Sequence, residues 1–170
     1  GKSSGKGCGP KFGERCNCGR MEYESMVDQF VVNCTNQHFN DTDILTDLPD
    51  ETQVLIFTGN HIPEIPWNIF GTINDLENLR VVDMSNNGIR EIKGKSYHHV
   101  KNVERLILNH NDIVISSDYD IELNHHHPRV LSNFVNLLEL HLTNAFLDNT
   151  DAALAEDLHD VFVNSNLTKL

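Results

Sequence analysis

The side chains best suited to binding a metal or exchanging a proton are three consecutive histidines, His125, His126 and His127. Imidazole binds Zn²⁺ and other transition metals, and it changes charge in mild acid. The carboxylates that could join such a site are Asp118, Asp120 and Glu122. Consecutive side chains in a loop do not converge on one ion, so a polar loop insertion is the favoured interpretation. The sequence therefore predicts no metal site, with the three histidines as the alternative.

All four cysteines lie in the first 34 of 170 residues, at Cys8, Cys16, Cys18 and Cys34. An even number of cysteines in one short segment predicts two local disulfides and an oxidising compartment. The alternative is a zinc site. However, Cys16 and Cys18 form a C-x-C pair instead of the usual C-x2-C, and Cys8 and Cys34 form no second pair. Disulfides are therefore favoured, and the sequence alone permits three pairings.

Three Asn-x-Ser/Thr sequons, at Asn33, Asn40 and Asn166, are predicted glycosylation sites and agree with secretion. No apolar run approaches the roughly 20 residues needed to span a membrane. The chain opens Gly-Lys-Ser-Ser-Gly-Lys-Gly without an initiator Met, so we expect a processed chain whose export signal has been removed. Residues 1–7 are predicted to be disordered. The predicted location is extracellular.

Charge and motifs favour binding over catalysis. The net charge of −12 disfavours nucleic acid as a partner, because its phosphates would be repelled. The sequence has no Gly-rich phosphate loop, no G-x-S-x-G and no H-E-x-x-H. Serine, histidine and aspartate are plentiful, yet no spacing marks a catalytic triad. We therefore predict no catalytic residues, no enzyme and no cofactor.

The elements that position these groups are indicated by an internal repeat, L-x-x-L-x-L-x-x-N-x-L. Copies start near residues 52, 79, 103, 137 and 167, with spacings of 27, 24, 34 and 30. The matching residues of the first four copies are Thr52, Leu55, Phe57, Asn60, Ile62; Leu79, Val82, Met84, Asn87, Ile89; Val103, Leu106, Leu108, Asn111, Ile113; and Leu137, Leu140, Leu142, Leu147, with Ala145 in place of Asn. The third copy is the longest because it contains the 114–130 insertion.

This spacing has a physical explanation. Apolar residues at positions 4 and 6 share one face of a short strand, and the chain must then turn away and return. A single coil cannot bury its apolar face, so neighbouring coils must stack. The recurrent asparagine can satisfy backbone groups that the turn leaves unpaired. We therefore expect Asn60, Asn87 and Asn111 to form a polar ladder beside the core.

Over about residues 52–170 the repeat resembles the leucine-rich-repeat family. The resemblance implies an α/β solenoid, curved, with a parallel sheet on its concave face and irregular, partly helical segments behind. An ordinary α/β protein with several buried strands is the alternative, but it does not explain the shared asparagine position. The last copy is incomplete at Leu167 and Leu170, and no C-terminal cap pattern is present. We therefore expect the N-terminal part of a longer ectodomain.

Residues 8–51 resemble the cysteine-rich N-terminal cap of extracellular family members. The cysteines are followed by a strand-like segment, Phe30-Val31-Val32, and by Leu48-Pro49 before the first copy. An open solenoid end exposes apolar core, so it needs a cap. A cap this small lacks a core of its own and needs disulfides. The resemblance implies the pairs Cys8–Cys18 and Cys16–Cys34.

Leucine-rich-repeat proteins bind partners through the variable positions of the concave sheet. Mapped onto this sequence, the predicted ligand-binding residues are Val54, Ile56, Arg80, Val81, Asp83, Arg105, Ile107, Glu139 and His141. Four of these are aliphatic, and an exposed apolar cluster is typical of a contact surface. The β-propensity of valine and isoleucine explains them equally well.

The resemblance implies an extracellular protein-binding module, the N-terminal part of a cell-surface receptor or adhesion ectodomain that recognises a protein ligand. One alternative is a secreted matrix-organising protein similar to the small leucine-rich proteoglycans. Ser4-Gly5 is its single Ser-Gly site and has no acidic flank. The other is a metal-dependent module that uses the three adjacent histidines. Apolar residues on the sheet also allow a homodimer, and the parent chain is either secreted or membrane-anchored.

Overall fold

The computed structural model describes residues 8–12, 14–72, 76–93, 96–97, 100–114 and 136–147. These residues form eight strands, a 3-10 helix and connecting turns. The strands are β1 (Asn17–Tyr23), β2 (Met26–Asn33), β3 (Val54–Ile56), β4 (Glu64–Ile65), β5 (Val81–Asp83), β6 (Glu91–Ile92), β7 (Arg105–Ile107) and β8 (Glu139–His141). The 3-10 helix spans Asp43–Asp47.

Six strands form one sheet in the order β1-β2-β3-β5-β7-β8. The β1–β2 pair is an antiparallel hairpin, and every later pairing in this sheet is parallel. The four repeat strands are aligned so that Leu55, Val82, Leu106 and Leu140 occupy equivalent positions on adjacent strands. These are the fourth positions of the four copies, so the repeat itself fixes the register. The predicted parallel sheet of a leucine-rich-repeat solenoid is confirmed.

The core lies against the inner face of this sheet. Positions 4 and 6 of the first three copies, among them Phe57, Met84 and Leu108, are almost fully buried there. Tyr97 and Val100, from the segment before the third copy, are buried in the same cluster. Leu147 departs from the pattern because it is 44% exposed, whereas its neighbour Phe146 packs against the core and bridges Ile113.

The recurrent asparagines occupy equivalent places on successive coils. The backbone N–H of Asn60 donates to Oδ1 of Asn87 (2.8 Å), and the N–H of Asn87 donates to Oδ1 of Asn111 (3.0 Å). Nδ2 of Asn87 donates to the carbonyls of Phe57 (2.7 Å) and Met84 (3.0 Å). Each amide thus satisfies buried backbone groups on its own coil and on its neighbours, which lets the chain turn away from the sheet inside an apolar interior.

The segments that return from one repeat strand to the next differ from expectation. Partly helical segments were predicted, but the described residues of this chain contain no α-helix. Instead β4 and β6 pair in parallel, and Ile65 and Ile92 point into the core. Pro63 and Pro66 flank β4 and interrupt any helical hydrogen-bond pattern there.

Two disulfides close the amino end of the solenoid. Cys8 is bonded to Cys18, and Cys16 is bonded to Cys34, which is the pairing that the family resemblance implies. All four cysteines are buried, together with Phe12. The Cys16–Cys34 bond thus joins the two ends of the hairpin base, and Cys8–Cys18 ties β1 to the start of the cap. Strand β2 lies directly beside the first repeat strand, β3.

Candidate protein-binding face

The outer face of the six-stranded sheet carries two rows of side chains, and it corresponds to the concave face of a leucine-rich-repeat solenoid. Alternation along each strand places positions 3 and 5 of every copy on this face. The pairing register aligns the first row as Val31, Val54, Val81, Arg105 and Glu139, and the second row as Asn33, Ile56, Asp83, Ile107 and His141. The structure therefore brings all the predicted concave residues except Arg80 into these two rows.

The amino-terminal half of the face is apolar but covered. Val31, Val54 and Val81 form a second buried cluster, and Val54 and Val81 are only 0% and 4% exposed. The expectation that these valines form an exposed cluster is wrong. Met21 and Tyr23 of β1 pack on them, together with half-buried Ile56. Ile107 is also buried.

The covering element is the outer end of the β1–β2 hairpin. Its strands pair regularly from Asn17–Asn33 to Met21–Gln29, and the register then shifts before Tyr23–Met26. At this bulge one residue, Glu22, faces two residues of β2, and the second of these, Asp28, has a φ of 58°. A bulge with an extra residue bends and twists the hairpin. Residues 21–24, which we call the hairpin tip, therefore lie over the sheet.

The tip reaches the third repeat strand. Nη1 of Arg105 donates to Oε1 of Glu24 at 2.8 Å and lies 3.5 Å from the hydroxyl of Tyr23. Burial raises the pKa of Tyr23 to about 12, although the positive charge of Arg105 opposes this shift. The phenol consequently stays neutral at physiological pH. The tip thus places an aliphatic, a phenolic and an acidic side chain along one line of the face.

The carboxyl-terminal half of the face is polar and only partly buried. Oε1 of Glu139 lies 3.0 Å from Nε2 of His141 and 3.4 Å from Nε of Arg105. Arg80 immediately precedes β5, and its Nε is 3.9 Å from Glu104, which immediately precedes β7. Arg105, Glu139 and the His141 imidazole thus form a set of charged and polar groups next to the hairpin tip. They can offer hydrogen bonds and charge complementarity to a polar partner surface.

Tyr23 and Glu24 were not among the predicted site residues. The signal for them was available, because Arg20-Met21-Glu22-Tyr23 and Met26-Val27-Asp28-Gln29 are two strand-like runs separated by two residues. That pattern predicts a hairpin. It does not predict that the hairpin bends across the sheet.

Two of the three predicted glycosylation sites can be placed. Asn33 stands at the amino-terminal end of the second row, where its Oδ1 accepts hydrogen bonds from the backbone N–H (3.1 Å) and hydroxyl (2.6 Å) of Thr35. Asn40 is exposed on the cap. Asn166 lies outside the described residues. A glycan on Asn33 would border the candidate face, and glycosylation of these sites stays a prediction.

The histidine alternative cannot be placed either, because His125, His126 and His127 lie outside the described residues. Within the part of the chain that the structure describes, no group of three or more His, Cys, Asp or Glu side chains could hold a metal ion. The same residues include no helix of the length and apolarity that crossing a bilayer requires.

The parallel sheet, the asparagine ladder and the disulfide-bonded amino end define a leucine-rich-repeat solenoid with a cysteine-rich N-terminal cap. The chain is similar to trophoblast glycoprotein of Macaca fascicularis, with 28% identity over 89 residues, 52% of this chain and 21% of that relative. The crystal structure of human 5T4 (Wnt-activated inhibitory factor 1, trophoblast glycoprotein) superposes with a TM-score of 0.64 and 20% identity. The superposition covers 92% of this chain and 52% of that one.

The chain therefore spans about a fifth of the curated relative and about half of the crystallised chain. No protein-family model matches its sequence. The fold match supports the leucine-rich-repeat solenoid, and the sequence similarity to a glycoprotein agrees with it. The disulfides fit an extracellular protein, because such bonds persist in oxidising compartments.

Proposed function

We propose that this chain is the ligand-recognising N-terminal part of a cell-surface receptor or adhesion ectodomain, and that it binds a protein through its concave sheet face. The observation that carries this proposal is the ordered set of charged and polar groups at Arg105, Glu139 and His141 on adjacent strands. These side chains are partly exposed on a rigid parallel sheet. They are therefore available to a partner without rearrangement of the solenoid.

The physical advantage of such a face is its preorganisation. Ordering flexible side chains and loops on binding opposes association, and a sheet that is already ordered avoids much of this loss. Contacts among Glu139, Arg105 and His141 already restrict their rotamers. Charges of fixed geometry also select among partners, because a like charge placed opposite them is strongly unfavourable.

The comparisons support this function at the level of its class. The related protein is a glycoprotein by name, and the fold match extends over most of this chain. The same proposal divides the chain into a cap at 8–51 and repeats at 52–170. It also assigns the chain a binding role and no catalytic one. The proteoglycan-like alternative rests on Ser4-Gly5, which lies outside the described residues.

A panel of purified extracellular domains, screened for binding to the full chain by surface plasmon resonance, tests the proposal. Glu139→Arg and Asp83→Arg reverse charges on the concave face, and each should reduce binding of the captured partner by about tenfold or more. Asp112→Arg is the matched control. It makes the same charge change at an exposed residue beyond the asparagine ladder, and it should leave binding intact.

Thermal melting must show that all three variants are folded. Equal binding by all of them would place recognition elsewhere on the solenoid and would contradict the proposal.

A further inference from the structure

The apolar half of the concave face has a resident occupant, and the contacts of this occupant show which chemistry the face accepts. Met21 and Tyr23 pack over Val31, Val54 and Val81. One residue further along, Glu24 pairs with Arg105 at 2.8 Å. The face therefore offers an apolar floor followed by the Arg105 cation. The segment seated on it presents an aliphatic side chain, a phenol and a carboxylate in that order.

The hairpin is held very differently at its two ends. At the base, Cys18 is tied to Cys8 and is fully buried, and β2 pairs with β3 at Val31, Val32 and Asn33. At the tip, the side chain of Glu24 is 55% exposed, and Met21 and Tyr23 are only half-buried. An ion pair with so much solvent contact contributes little to stability.

A bend separates these two ends of the hairpin. The register shift between Met21 and Tyr23 interrupts the β1–β2 pairing, and Asp28 adopts a φ of 58° there. Ladder hydrogen bonds are disrupted at a bulge. The tip can therefore leave the sheet while the disulfide-bonded base stays in place, because its own contacts, the packing of Met21 and Tyr23 and the Arg105–Glu24 pair, all lie beyond this interruption or at it.

We propose that the apolar half of the concave face is a binding site for an extended partner segment that carries aliphatic, phenolic and acidic side chains in that order, and that the hairpin tip occupies this site until such a segment displaces it. This inference rests on the proposed recognition function and specifies its partner chemistry. Displacement exchanges one set of contacts for an equivalent one, so Val54 and Val81 remain buried in both states. The Arg105 charge likewise stays paired.

The probe is a synthetic peptide of residues 19–25 of this chain, which carries Met21, Tyr23 and Glu24, labelled with a fluorophore and titrated by anisotropy. The first receiver is the full chain with Met21→Ser and Tyr23→Ser, which weakens the hold of the tip. The second receiver has residues 22–28 replaced by an Asn-Gly turn, which removes Tyr23 and Glu24 and keeps the disulfide-bonded base. Both receivers should bind the peptide about tenfold more tightly than the unaltered chain, in which the site is already occupied.

A charge exchange tests the register of the bound segment. A peptide with Glu24→Arg should bind the receivers about fivefold more weakly, because attraction to Arg105 becomes repulsion. Arg105→Glu in the receiver should restore binding of this altered peptide and weaken binding of the original one. A structural effect of either change alone would not produce this reciprocal rescue.

Three outcomes overturn the proposal. The first is equal peptide binding by the unaltered chain and both receivers, and the second is no binding by either receiver. The third is a dimer of the unaltered chain that dissociates with Tyr23→Ser, because the occupant would then be the hairpin of a second copy. If Glu139→Arg abolishes capture of the partner while the peptide experiment fails, the proposed recognition function stands, and only this inference is removed.

Discussion

The guanidinium of Arg105 donates a 2.8 Å hydrogen bond to the carboxylate of Glu24, which lies 81 residues earlier in the chain. This contact joins the tip of the cap hairpin to the third repeat strand. It also brings a negative charge to the concave face, where Arg105 contacts Glu139 as well. Burial of Arg105 opposes its protonation, but the hydrogen bond with Glu24 and the charges of Glu24 and Glu139 raise its pKa. The guanidinium therefore remains charged.

We expect the Arg105–Glu24 pair to guide the position of the tip without contributing much stability. A double-mutant cycle with Arg105→Ala and Glu24→Ala should give a coupling free energy of about 0.2–1 kcal/mol, measured by urea unfolding. The reason is that the Glu24 side chain remains largely hydrated. A coupling above about 2 kcal/mol would mean that the pair behaves as a buried one, against its exposure in the structure.

Apolar contacts should hold the tip more strongly than this ion pair does. Tyr23→Ala removes a half-buried aromatic ring from Val54 and Val81, and we expect a loss of about 1–3 kcal/mol in the free energy of unfolding. Val27→Ala is the control on the same hairpin. Val27 is 70% exposed, so its truncation should change stability by less than about 0.5 kcal/mol. Equal losses for the two variants would contradict the packing described here.

The repeat part of the fold could be predicted because each copy has the same pattern of apolar residues and therefore forms the same strand and turn. Apolar residues at positions 4 and 6 must share a face, and stacking of identical coils leaves one parallel register. Leu55, Val82, Leu106 and Leu140 accordingly align across four strands. The same reasoning placed Arg105, Glu139 and His141 on the outer face. Their proximity to one another follows from the register of the repeat alone.

The covering of the apolar half could not be predicted in this way. Alternation shows that Val54 and Val81 point away from the core, but it does not show what else packs against them. That depends on the bend of the hairpin at Asp28, which adopts a positive φ without being glycine. It also depends on a contact between residues that are distant in sequence. The exposed apolar cluster was therefore a reasonable expectation and a wrong one.

The asparagine ladder should make a large and local contribution to stability. Asn87→Ala leaves the backbone N–H of Asn60 and the carbonyl of Phe57 without their partners inside the turn. We expect a loss of about 1–3 kcal/mol, measured by chemical unfolding with the disulfides intact. Asn78→Ala is the matched control, because the amide of Asn78 is exposed and makes one hydrogen bond to the carbonyl of Asp50. A cost for Asn78→Ala as large as that for Asn87→Ala would argue against a special role for the ladder.

The phenol of Tyr23 should make the attachment of the tip sensitive to alkaline pH. The pKa of Tyr23 is raised to about 12 in the folded chain, mainly by burial, whereas an unfolded tyrosine ionises near 10. Below about pH 10 both states keep the proton, and the contribution of Tyr23 to stability is fully present. Between about pH 10 and 12 the detached tip loses its proton more readily than the docked tip, so the stability of the docked state falls as the pH rises.

Absorbance at 295 nm, recorded minutes after a pH jump, measures this ionisation. Subtracting the titration of a Tyr23→Phe variant isolates Tyr23, since burial also raises the pKa of Tyr97. The difference curve should have its midpoint near pH 12. Met21→Ser, which loosens the tip without removing the phenol, should move this midpoint toward about 10. A midpoint near 10 in the unaltered chain would show that Tyr23 is hydrated and that the hairpin tip does not rest on the sheet.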